Sequence, residues 1–128
     1  MPLHRIPCVL LLATLCACGS TDPSSGPKPD VVITVGAATK GATAFSPDTL
    51  TISLASHPTV RWGNADYTGG TYSGGTTVAH TVTADSGAFD SGQIQARSGF
   101  NFTFTAAGTY GYHCSNHPTM VGAIVVTP

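Results

Sequence analysis

The sequence predicts an all-β fold, a two-sheet Greek-key β-sandwich over residues 31–128, from three observations. Apolar residues recur with period 2 in short runs, Gly, Pro, Asn and Asp separate the runs, and no stretch of the domain carries a helical period. Several short strands in so small a segment bury their apolar faces best as two packed sheets.

Taken in order, Val31, Ile33 and Val35 alternate with smaller or more polar residues, and Leu50, Ile52 and Leu54 do the same in "LTISL". "TVRW" puts Val60 and Trp62 on one face, and "HTVTA" starts a strand at His80. "FNFTF" puts Phe100, Phe102 and Phe104 on one face and Asn101 and Thr103 on the other. "TYGYHC" aligns Tyr110, Tyr112 and Cys114, and "GAIVV" supplies Ile124 and Val126. The sequon Asn101-Phe102-Thr103 falls within a strand and is read as accidental.

The N-terminus sets the expected compartment. Residues 1–20, "MPLHRIPCVLLLATLCACGS", pair a short basic start at Arg5 with an apolar run from Ile6 to Leu15 and then small residues. That layout is a secretory signal, and the run is about half the roughly 20 residues a membrane-spanning helix needs. Leu15-Cys16-Ala17-Cys18 resembles the lipobox of bacterial lipoproteins. The resemblance implies that residues 1–17 are removed and that Cys18 carries lipid, with several acyl chains for a stable anchor. Gly19 carries no inner-membrane retention mark, and cleavage nearby to release a soluble product is the competing reading. Residues 18–30 then comprise the lipidated cysteine and a Ser-, Gly- and Pro-rich tether. Fully extended, the tether reaches about 35–40 Å. The protein is therefore expected outside the cytoplasm, in a periplasm or on the cell surface, held at a membrane by its lipid.

Without Arg5 the chain keeps Lys28, Lys40, Arg61 and Arg97 against six aspartates, a net charge of −2 with neutral histidines. No basic patch recommends nucleic acid as a partner. Cys8 and Cys16 leave with the signal, so the domain retains a single thiol, Cys114. A lone cysteine in an oxidising compartment calls for a reason.

Its neighbours supply one, in "YGYHCSNHPTMV". Cys114 shares the inward face with Tyr110 and Tyr112, so His113 points outward and the two neighbours cannot hold the same ion. Past Cys114, Asn116 and Pro118 turn the chain towards a strand near Val121, which lets Cys114, His117 and Met120 converge. His80 is the candidate for a fourth ligand. A thiolate, two imidazoles and a weak thioether make the blue-copper arrangement. The soft thiolate and thioether favour copper, and the thioether is a poor choice for zinc, calcium or magnesium; zinc still suits the other three donors but would bring no redox chemistry.

The segments "VRWGNAD", "HTVTA", "FDSG", "FNFTFTAAGTYGYHC" and "CSNHPTMVGAIVV" resemble the cupredoxins, the family of plastocyanin, amicyanin and azurin. The Cys-x₂-His-x₂-Met spacing resembles the short ligand loop of amicyanin. The resemblance implies one type 1 copper ion, His80, Cys114 and His117 as strong ligands, and Met120 as the axial one. It implies an electron carrier cycling between Cu(II) and Cu(I), with redox proteins as donor and acceptor and electrons passing at the edge of His117. The expected state is a monomer. Two departures stand out. Thr81 replaces the asparagine that often follows the first histidine and braces the loop, and "YTGGTYSGGTTVA" is inserted between Asp66 and His80. The insert is either slack or a docking loop presenting Tyr72.

In copper nitrite reductases and multicopper oxidases a histidine beside the cysteine serves a second, catalytic copper, and His113 holds that position. Catalytic metals generally need about three protein ligands. Ser115, Thr83 and Asp85 offer no matching set, and His57 in "ASHPTV" belongs to a turn. No catalytic residue is assigned, and the chain is not expected to be an enzyme. The alternative function is copper capture or delivery for an exported oxidase.

Overall fold

The computed structural model describes residues 27–69 and 75–128. The expected signal segment, Cys18, the tether up to residue 26 and Tyr72 of the insert lie outside the described residues.

Among the described residues eight strands follow one another: β1 (Val31–Ile33), β2 (Phe45–Ser46), β3 (Thr49–Ser53), β4 (Thr59–Asn64), β5 (Thr83–Ala84), β6 (Gly99–Thr103), β7 (Gly108–His113) and β8 (Val121–Thr127). They form two four-stranded sheets, ordered β2-β1-β4-β6 and β3-β8-β7-β5. β1–β4 and β3–β8 are parallel, and the remaining pairs are antiparallel. This is the all-β, two-sheet sandwich that the alternation predicts. The helical elements among the described residues are two 3₁₀ turns, Ala37–Thr39 and Gly41–Thr43. No helix among them is long and apolar enough to cross a membrane.

The inward faces bury Val31, Ile33, Val60, Trp62, Ile124 and Val126. Between the sheets the aromatic rings cross edge to face, Tyr112 meeting Phe45 at 4.9 Å and Trp62 at 5.7 Å between centroids. Such pairs add to the area they bury. Phe45 belongs to β2, a two-residue strand too short for alternation to reveal.

Three local expectations change. β1 ends at Ile33, and Val35 is 46% exposed rather than part of a strand. Gly36 follows in the left-handed region at φ 71°, a turn conformation that glycine adopts without steric cost. His80 falls between β4 and β5 rather than in a strand and is held by an isolated bridge, its N–H and C=O both bonded to Ile94 at 3.2 and 2.7 Å. Finally, among the described residues Pro27 and Asp30, placed in the tether by the sequence, also touch the domain. The Arg61 side chain donates to the Pro27 carbonyl at 2.6 Å, and the Asp30 carboxylate accepts the Arg61 backbone N–H at 2.8 Å.

β7 and β8 form the antiparallel hairpin that matters for the site. Their register sets His113 opposite Val121, so residues 114–120 form the connecting loop at one end of the sandwich.

Candidate metal centre

The loop closes by main-chain bonds at the spacing of its chemical side chains. His117 N–H donates to the Cys114 carbonyl at 3.2 Å, and Met120 N–H donates to the His117 carbonyl at 2.9 Å. Cys114 N–H in turn donates to the Met120 carbonyl at 3.1 Å. Two successive four-residue turns that share His117 thus fold Cys-x₂-His-x₂-Met back on itself. Cys114 and Met120 are completely buried, and His117 is partly exposed.

His80 enters from the far side of the chain. Nδ1 of His80 lies 3.7 Å from Cys114 Sγ, and Nδ1 of His117 lies 3.8 Å from it. All three donor atoms fall within 4.8 Å of one another. A first-row metal bonded to sulfur at about 2.3 Å and to nitrogen at about 2.0–2.1 Å, with roughly 120° between them, sets S and N about 3.7–3.8 Å apart. The two sulfur–nitrogen separations therefore fit a trigonal site, and a buried soft thiolate with two imidazoles fits copper.

Two groups of bonds hold this arrangement. Thr81 N–H points at Cys114 Sγ from 3.3 Å, and the Thr81 hydroxyl accepts the Ser115 N–H at 2.7 Å. The residue that stands where relatives often place asparagine thus still joins the histidine segment to the ligand loop. Asn116 adds a second link, donating to the Ala79 carbonyl at 3.1 Å and to Gln93 at 2.9 Å.

Behind His80 stand two residues outside the expected ligand set. Asn64 donates to the carbonyls of Val78, two residues before the histidine, and Ile94, the residue bridged to it, at 2.8 and 2.9 Å. Asp66 receives His80 Nε2 at 2.8 Å, Gly36 N–H at 2.6 Å and Ala37 N–H at 3.2 Å. Burial alone would raise the Asp66 pKa, but these bonds and the neighbouring imidazole outweigh it and hold the carboxyl below its ordinary value. A signal for both was present. Val60, Trp62, Asn64 and Asp66 continue one period-2 face, and a polar residue on a buried face must find partners.

His113 faces away from this cluster, as the alternation requires. Its Nδ1 lies 2.6 Å from Asp85 on the surface. His57 is exposed beside Asp30, at 3.4 Å. The insert is paired at its base, with Tyr67 bridged to Thr77 and the Arg97 guanidinium 4.5 Å above the Tyr67 ring.

Residues 32–127 match the family described as copper binding proteins, plastocyanin/azurin family. Amicyanin of Paracoccus denitrificans is 59% identical over 27 residues, a stretch that spans 21% of this chain and 21% of amicyanin. Among solved structures, a purple cupredoxin from Nitrosopumilus maritimus superposes with a TM-score of 0.61 at 27% identity, covering 76% of this chain and 97% of that one. A copper(I) form of an amicyanin variant gives 0.56 at 24% identity, over 80% and 87% of the two chains, and shares the fold. The family match, joined to a thiolate and two imidazoles at metal-binding separation, makes copper the cofactor, and the chain belongs to the plastocyanin/azurin family of copper-binding proteins.

Proposed function

We propose that the protein is a one-electron carrier with a type 1 copper site in which His80, Cys114 and His117 are the strong ligands and Met120 the axial one. The observation that carries this reading is the pair of Nδ1–Sγ separations, 3.7 and 3.8 Å, reached by residues from two distant segments. Copper supplies the redox couple. The chain's part is to keep the donors in place in both oxidation states, and the bonds of Thr81 and Asn116 to the loop support that role. Less rearrangement on transfer means a faster exchange. His117 is the one imidazole of the set with an exposed edge, which suits it to contact redox partners. Among the described residues His113 pairs with the Asp85 carboxylate, and no role in a second copper centre is proposed for it.

The experiment is addition of Cu(II) to the purified domain, wild type and Cys114→Ser. Intense blue or purple absorption in the wild type that is lost in the variant is expected, and a colourless wild type overturns the reading. Copper delivery is separated by measuring release. A carrier retains copper against a chelator in both oxidation states, whereas a delivery protein surrenders it in one.

We further propose that the domain, residues 31–128, works outside the cytoplasm on a membrane, as a monomer tied through lipid on Cys18 after removal of residues 1–17. The lipobox-like Leu15-Cys16-Ala17-Cys18 and the Pro- and Ser-rich tether support this. Partitioning of the full-length protein into detergent, abolished by Cys18→Ser, is the expected result. A wild type that stays in the aqueous phase refutes the anchor.

A further inference from the structure

Asp66 is the least expected group near the candidate copper site. Its side chain is 5% exposed, His80 is fully buried, and the two are joined at 2.8 Å. A carboxylate in so enclosed a place needs strong partners. It has three: the N–H groups of Gly36 and Ala37 and the His80 ring. An ionised carboxylate only accepts hydrogen bonds, so the facing Nε2 must carry the proton. In a neutral imidazole the lone pair then belongs to Nδ1, the atom that faces Cys114 Sγ.

From this geometry we propose that Asp66 is a positioning residue for copper, fixing the tautomer and orientation of His80 and, by its negative charge, favouring Cu(II) over Cu(I). The inference rests on His80 being a copper ligand. Hydrogen bonding to a carboxylate makes a coordinating imidazole more basic, and a stronger donor beside a buried negative charge stabilises the more positive ion. The residue also gives the site a mechanical link. The segment that turns at Gly36 is fastened to the same carboxylate, so residues 36–37 and His80 share one anchor 30 and 14 positions away in sequence. Asn64 completes the fixture, because its side-chain oxygen accepts the Asp66 N–H at 2.9 Å while its amide donates to Val78, two residues before His80, and to Ile94, the residue bridged to His80.

The test compares wild type with Asp66→Asn. The amide keeps the shape but loses the charge and turns one acceptor into a donor, facing either His80 or the backbone N–H groups. Cu(II) affinity is expected to fall about ten- to a hundredfold, and Cu(I) affinity less, so the midpoint potential rises. Each tenfold change in that ratio is about 59 mV for one electron. Asp48→Asn, which removes an exposed carboxylate, controls for net charge and leaves the potential in place. An equal loss of both affinities, with the potential unchanged, overturns the proposal. Because Asp66→Asn can fail to fold, nitrogen-15 NMR of the wild-type apo protein gives an independent reading. A protonated Nε2 and a bare Nδ1 on His80 are expected, and the opposite tautomer refutes the role. If wild-type protein takes up no copper, the ligand assignment fails instead, and the apo tautomer still reports on the Asp66–His80 pair.

Discussion

Thr81 bonds to the ligand loop twice, its N–H 3.3 Å from Cys114 Sγ and its hydroxyl oxygen 2.7 Å from the N–H of Ser115. The first bond is main-chain and independent of residue type. The second needs a side-chain acceptor. Thr81→Ala therefore keeps the N–H···S contact and leaves a partly buried N–H without its partner, at a cost of about 1–3 kcal/mol. The melting temperature of the apo domain should fall accordingly, and copper should dissociate faster. Thr81→Ser should restore both. Equal stability in Thr81→Ala and wild type would show that the hydroxyl braces nothing.

Met120 is completely buried at the point where the loop closes. If its thioether is the weak axial donor, Met120→Leu fills a similar volume while removing a ligand that favours Cu(II). The blue absorption should persist and the midpoint potential should rise, as read by voltammetry. An unchanged potential would take Met120 out of the ligand set. The backbone bonds that close the loop do not involve its side chain, so the loop itself should survive.

The convergence of Cys114 and His117 was legible because the spacing is local. A spacing of three positions closes one turn, and donor types as soft as thiolate and thioether narrow the metal. Tyr112 and Cys114 as inward residues, and His113 as outward, followed from pleating alone. The Asp66–His80 bond was harder, because it depends on where the insert returns the chain, and no periodicity measures that. Val35 misled because an apolar residue continued an alternating run past the strand's end, and only the left-handed turn at Gly36 reveals the stop. The parallel pairings of β1 with β4 and β3 with β8 are also set by contacts remote in sequence. Short strands can satisfy their faces in several sheet orders.

Gly122 sits across from Tyr112 in the β7–β8 hairpin. A Cβ at position 122 would lie 2.5 Å from the Tyr112 hydroxyl oxygen, far inside van der Waals contact. Tyr112 is packed between Phe45 and Trp62 and has little room to retreat. Gly122→Ala should cost about 1–3 kcal/mol by overpacking. Chemical denaturation would measure it, and near-wild-type stability would show that the ring swings aside.

Tyr112 also carries the clearest dependence on pH. Burial pushes its pKa up from 10.0 to about 12, with the Asp48 charge adding to the effect. The native state therefore holds this proton more tightly than the unfolded chain. Below about pH 10 both states are protonated and the full contribution is present. Between pH 10 and 12 the unfolded chain releases the proton first, so stability falls as pH rises through the folded value. At about 1.4 kcal/mol per unit, the loss approaches 2–3 kcal/mol. The hydroxyl has no hydrogen-bond partner among the described residues, so Tyr112→Phe removes a buried polar group without orphaning another. The variant should match or exceed wild-type stability at neutral pH and lose less of it above pH 10. Denaturation midpoints of the two apo proteins across the alkaline range make the comparison, and parallel curves would place the phenol in contact with water.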